Sequence, residues 1–184
     1  MHLLKPLIPI FIIIVTGCAS DPFGDITMPI TKAYASPQSG SRARVRISTD
    51  GAVRLAVNTN CPKWNDPSSG VALVAPDAGP LLTKENNGKF VGMPGRASST
   101  LANTELYIPA GKPLLLHYMK QQQTSMTGVA VCNGLFSFIP KEDGNYLAVF
   151  SQYQGGNKCL RTVIDLNNKE IPVENLSDNG PCHK

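Results

Sequence analysis

Apolar and polar positions alternate with period two through most of this chain, a spacing that puts one face of an extended strand in a core and the other in water. In RARVRIS, residues 42–48, Ala43, Val45 and Ile47 alternate with Arg42, Arg44, Arg46 and Ser48. Thr49-Asp50-Gly51 follows as a tight turn, since Asp and Gly tolerate the positive φ angles of two-residue hairpins. Val53, Leu55 and Val57 then alternate through AVRLAVN, so the pattern predicts a β-hairpin over 42–58. Further strands are predicted at VALVA (71–75), TELYIP (104–109), LLLHYMK (114–120), GVAVC (128–132), LFSFIP (135–140), YLAVFSQY (146–153) and CLRTVIDL (159–166). Breaks at the glutamines 121–123, Asn133-Gly134, Lys141 to Asn145 and Gly155-Gly156-Asn157 separate the last five. Short strands at nearly regular spacing predict an all-β fold, an immunoglobulin-like or transthyretin-like antiparallel β-sandwich with long loops. A helix is the alternative only for LLLHYMKQQQ.

Three stretches lack a period. NTNCPKWNDPSSG, residues 58–70, is predicted as a loop containing Cys61 and the single tryptophan, Trp64. Residues 76–103 are rich in Gly, Pro, Asn and Ser, and so long a loop inside a compact domain is commonly functional. Residues 19–41, with Pro22, Pro29 and Pro37, read as a tether, although Ile26 to Ala35 also suits a proline-flanked edge strand. Sixteen glycines and fifteen prolines with only 16% charged residues favour turns and strands over long helices.

The N-terminus changes the picture. Lys5, the apolar run from Leu7 to Val15, and Thr16-Gly17 have the order of an export signal, and the run is far shorter than the ~20 residues of a membrane span. Val15-Thr16-Gly17-Cys18 resembles a lipobox, the processing motif of bacterial lipoproteins. The resemblance implies cleavage before Cys18, fatty acylation of that cysteine, palmitate included, and membrane anchoring by more than one chain, which holds stably where one does not. Ala19-Ser20, in place of an Asp after the cysteine, implies the outer membrane. The expected organisation is a signal peptide 1–17, a lipidated cysteine and tether 18–41, and one domain 42–184. Loss of the signal lowers the net charge from +4 by one. The densest basic group, Arg42, Arg44 and Arg46, reads as the wet face of a strand, and no nucleic-acid partner is expected.

With Cys18 lipidated, Cys61, Cys132, Cys159 and Cys182 make an even set, which in an oxidising compartment reads as two disulfides with three possible pairings. Cys132 with Cys159 and Cys61 with Cys182 are the expected pairs, because Cys132 and Cys159 lie in successive strands of one region. The C-terminal half also resembles uncharacterised Gram-negative envelope lipoproteins, through Pro109 to Pro113, Cys132, Phe136 to Pro140, Gly144 to Tyr146 and Cys159. That resemblance implies a sandwich with a strand-linking disulfide.

Catalytic fingerprints are missing: there is no Gly-x-Ser-x-Gly, P-loop, dinucleotide or zinc-protease motif. No metal or cofactor is expected, and Asp165, Asn167, Asn168 and Glu170 read as a turn before they read as calcium ligands. The expected role is a non-enzymatic binding or accessory module of the envelope, contacting a protein or glycan partner through Trp64, Phe90, Met93 and Arg96, the loop side chains of types enriched at interface cores. Two alternatives stay open. One is an inhibitor or immunity protein that blocks a periplasmic hydrolase through the 76–103 loop. The other is a hydrolase with a scattered site such as Ser137, His117 and Asp165.

Overall fold

A computed structural model describes residues 32–61, 64, 66–78, 82–126, 128–153, 158–167 and the backbone of 174–176; the signal peptide, Cys18 and Cys182 lie outside the described residues. Nine strands and no helix occur among them: β1 Arg42–Thr49, β2 Ala52–Val57, β3 Gly70–Val74, β4 Ala102–Pro109, β5 Leu114–Gln123, β6 Val129–Phe138, β7 Asn145–Tyr153, β8 Lys158–Asp165 and β9 Glu174–Leu176. They make two sheets, ordered β4-β1-β7-β8 and β3-β2-β5-β6-β9.

The inward positions of both sheets meet in one core. Val45 and Ile47 of β1, Leu106 and Ile108 of β4 and Phe150 of β7 pack with Leu55 of β2, Leu73 of β3, Leu116 and Tyr118 of β5 and Phe136 of β6. Aromatic rings cross the interface, with Phe150 at 5.4 Å from Tyr118 and 5.5 Å from Phe136 between centroids. Most of the predicted strands form at the predicted residues.

Their pairing departs from expectation in three places. The hairpin over 42–58 does not form: β1 pairs with β4 and β7, β2 pairs with β3 and β5, and the two belong to different sheets. Alternation decides which face of a strand is buried and leaves its neighbour open. The Thr49-Asp50-Gly51 turn is a corner between sheets. The Asp50 carboxylate accepts the Tyr118 hydroxyl of β5 at 2.9 Å and the Gln152 amide of β7 at 2.9 Å, while Lys120 Nζ donates to its carbonyl at 2.8 Å. Neither Asp50 nor Gly51 has a positive φ; a Cβ at Gly51 would collide with the Met119 backbone, so glycine is needed there for close approach.

Second, the sheets are not wholly antiparallel, because β1 and β7 run parallel from Arg44 opposite Asn145 to Thr49 opposite Phe150. Five strands, β2 to β6, intervene between β1 and β7, so this pair is free of the hairpin constraint that enforces antiparallel order. Third, GVAVC and LFSFIP are one strand, β6, which runs through Asn133-Gly134 and pairs with β5 from Val129–Gln123 to Phe138–Leu114, taking in the glutamines expected as a break. Gly134 leaves room for Arg161, which crosses it to donate to the Asn133 carbonyl at 3.0 Å.

The disulfide Cys132–Cys159 is present, with Cα atoms 5.8 Å apart, and it joins β6 of one sheet to β8 of the other. Cys61 is also disulfide-bonded. Packing begins before β1: Lys32 to Tyr34 pair in parallel with β3 at Val71, and Tyr34 is buried in the core.

Candidate functional site

The most organised irregular segment is the long connection from β3 to β4. Asn87 completes the exposed edge of β3 with its side chain, donating to the Val74 carbonyl at 2.6 Å and accepting the Val74 amide at 3.1 Å. Buried Asn86 donates to the carbonyls of Tyr34 and Val71. The backbone then pairs with β4, as Gly88 N–H meets Asn103 O at 3.0 Å and Glu105 N–H meets Lys89 O at 2.7 Å. One segment therefore covers the outer edges of both sheets, which unprotected would be templates for further strands.

Beyond Lys89 the chain turns onto the outer face of β1 and β4. Arg46 and Glu105 stand directly opposite each other in the β1–β4 register. Arg46 Nη2 lies 2.6 Å and Nε 2.8 Å from Glu105 Oε1. The other guanidinium contacts reach the loop carbonyls of Met93, Pro94 and Gly95 at 3.1–3.2 Å. Glu105 Oε2 accepts the amides of Val91 at 2.9 Å and Met93 at 3.1 Å. Burial alone would raise the Glu105 pKa, but the Met93 amide, the Arg46 guanidinium and the Val91 amide outweigh it and hold the carboxyl below its ordinary range. Gly92 and Gly95, at φ 77° and 78°, sit in the left-handed region that side chains avoid, and their carbonyls accept Arg44 and Arg46. The arginine face read as solvated is thus roofed by the loop: Arg46 is buried, and Arg42 lies over the Tyr107 ring at 4.6 Å.

Three of the four residues singled out for partner contact, Phe90, Met93 and Arg96, lie on or beside the clamped loop. Met93 is buried beneath the loop, Arg96 is exposed, and the Phe90 ring is 63% exposed. Phe90 stands at the rim of a groove of about 460 Å³ between segment 33–38 and residues 85–91, lined also by Tyr34, Gln38, Lys89 and Tyr107. Trp64 belongs elsewhere. It is 5% exposed and covers the outer face of the other sheet, against Ala56, Leu115 and Leu135, with Arg54 over its ring at 5.5 Å and His117 stacked at 5.3 Å. Phe90, Met93 and Arg96 share one loop, and Trp64 does not join them.

The scattered triad is not gathered either. Ser137 and His117 share the outer face of β6 and β5, but Ser137 donates to Asn60 at 3.0 Å and His117 Nε2 is hydrogen-bonded to Asn133 Oδ1 at 2.7 Å. Asp165 belongs to β8, in the opposite sheet. Its carboxylate accepts the Asn167 amide at 2.9 Å, a turn geometry. Among the described residues no three His, Cys, Asp or Glu side chains are placed to hold a metal. No protein-family model matches the chain, and no curated protein is significantly similar to it.

The Arg46–Glu105 clamp was missed by sequence reasoning. Its signal was available only to someone who already paired β1 with β4, since both residues occupy the polar phase of their strands.

Proposed function

We propose that this chain is a lipid-anchored binding module of the bacterial outer membrane, which engages a protein or glycan of the envelope through the 85–96 loop, with Phe90 as the anchor side chain. The observation that carries the reading is the contrast between Phe90 and its setting: a large apolar ring stands in water on a loop locked by the Arg46–Glu105 clamp and by two strand edges. A ring displayed from a rigid frame loses little conformational freedom on binding, which is the property of a preorganised interface anchor. The beds of Trp64 and Met93 are filled, so neither competes for this role.

The anchor is Cys18, diacylated, then made the N-terminus by cleavage of residues 1–17 and acylated again. Cysteine use supports it: Cys132 and Cys159 are bonded to each other and Cys61 is bonded. Pairing of Cys61 with Cys182 leaves Cys18 free for lipid. Of the two finer architectures the transthyretin-like one is preferred, since the immunoglobulin order would place β1, β2, β4 and β5 in one sheet, whereas β1 and β4 here lie opposite β2 and β5.

Two measurements test the reading. Radiolabelled palmitate should enter the wild-type chain and not Cys18→Ser; equal labelling of both removes the anchor. A photo-crosslinking phenylalanine analogue at position 90 of the full chain should give a discrete adduct in envelope preparations, while the same analogue at exposed Lys141 gives none. Absence of a position-90 adduct rejects the loop as the contact surface.

A further inference from the structure

The two lateral sides of the molecule are finished differently. On one side the edges of β3 and β4 are covered by Asn86 to Lys89. On the other the bordering strands are β6 and β8, bolted together by Cys132–Cys159. There β9 pairs only with Leu135, Phe136 and Ser137, and among the described residues no strand lies beside Val129 to Asn133. The Asn133 carbonyl accepts Arg161 on the side away from β5. Ladder alternation turns the N–H and C=O groups of Val129 and Val131 the same way. Their side chains are 61% and 56% exposed, and of the exposed large apolar residues described, all but Phe90 and Ile139 belong to this side: Met126, Val129, Val131, Tyr153 and Leu160.

We propose that this edge pairs with the same edge of a second copy of the chain, antiparallel about a two-fold axis through Ala130. Three features select a second copy. The edge is self-complementary, because an axis at Ala130 sets the outward groups of Val129 against those of Val131 in the other copy, four N–H···O bonds in all. Val129 to Asn133 carry no charge, and of the facing residues Met119 to Gln123 only Lys120 does, its ammonium being turned to the Asp50 carbonyl, so the symmetric approach sets no like charges opposite each other at the axis. The four valines also meet on one face of the joined sheet, where β-branched side chains pack well. A two-fold pair closes on itself, covering the β6 edge of both copies at once. The competing occupant is the chain's own C-terminus after Leu176. The Cys61–Cys182 staple proposed above would draw that segment back toward Asn60, which holds Ser137.

The test uses the full chain, purified in detergent. Sedimentation should give the mass of two copies, and Val131→Pro should halve it with an unchanged circular dichroism spectrum, since proline there removes only the outward N–H and leaves the β5–β6 ladder intact. Ala130→Cys sits at a non-hydrogen-bonded pair on the axis, where Cα atoms of the two copies lie about 4.5 Å apart, within disulfide range. Mild oxidation should therefore link it into a covalent dimer and leave Lys141→Cys unlinked. A monomeric wild-type chain overturns the proposal and leaves the edge to the C-terminus. A dimer that survives Val131→Pro, or that Ala130→Cys fails to link, overturns it in favour of another surface.

Discussion

Glu105 is worth following as a single side chain, because both of its oxygens are used: one holds Arg46 of the neighbouring strand and the other the amides of the loop above. Glu105→Gln leaves the guanidinium buried with its charge uncompensated, and breaking a buried pair in this way costs about 3–5 kcal/mol. Urea unfolding should report that loss, and residues 90–95 should exchange amide hydrogens faster. The sign of the pH effect follows from the depressed native pKa. The carboxylate's contribution is complete above its unfolded pKa, ~4.3, and is lost as pH falls through the lower native value. Wild-type stability should therefore drop more steeply than that of Glu105→Gln on acidification below that point; parallel curves would mean the carboxylate is not so held. Phe90 makes the opposite case. Phe90→Asp removes little packing in the free protein, so stability should change by no more than ~0.5 kcal/mol, while affinity for the proposed partner should fall by at least ~2 kcal/mol. A binding isotherm beside a melting curve separates the two.

At the scale of elements, strands were legible and their partners were not. Val45 and Ile47 of RARVRIS declare a buried face by alternation alone, whereas Leu114 to Leu116 form an unbroken apolar run and all three are buried. Nothing in RARVRIS-TDG-AVRLAVN distinguishes a hairpin from a corner, because the deciding groups, Tyr118 and Gln152, are 68 and 102 residues from Asp50. The same holds for the 76–103 loop: its Asn86 and Asn87 look like ordinary turn residues until β3 and β4 lie beside them. Trp64 and Phe90 were indistinguishable as loop aromatics, and only the apolar bed of Ala56, Leu115 and Leu135 separates them. The corner yields a prediction of its own. Burial, then the hydrogen bond and charge of Asp50, push the Tyr118 phenol above its ordinary pKa, so it stays a donor throughout the neutral range. Asp50→Ala strands that buried hydroxyl and the Gln152 amide together, at a cost of about 2–4 kcal/mol in chemical denaturation. Asp50→Asn, which keeps an acceptor, should recover part of it.

Across the whole molecule, the two sheets are tied by the shared core, by the Asp50 corner and by the disulfide from β6 to β8. Closing the 27-residue separation between Cys132 and Cys159 is worth roughly 3.5 kcal/mol on the chain-entropy model. The double variant Cys132→Ala, Cys159→Ala should lose about that much stability in denaturant, and an unchanged midpoint would show that the core alone holds the sheets in place. The parallel seating of β1 between β4 and β7 has a further effect, on the order of assembly. The chain's first strand faces partners that begin about sixty and a hundred residues later, Ala102 and Asn145, and such distant contacts make folding slow. While the chain emerges from a ribosome, β1 has no sheet partner until β4 follows it, and its other side stays open until β7 does. Assembly of the four-stranded sheet is therefore a late event, because its closing strands, β7 and β8, are among the last to be made, and until then the N-terminal segment stays open along one whole edge.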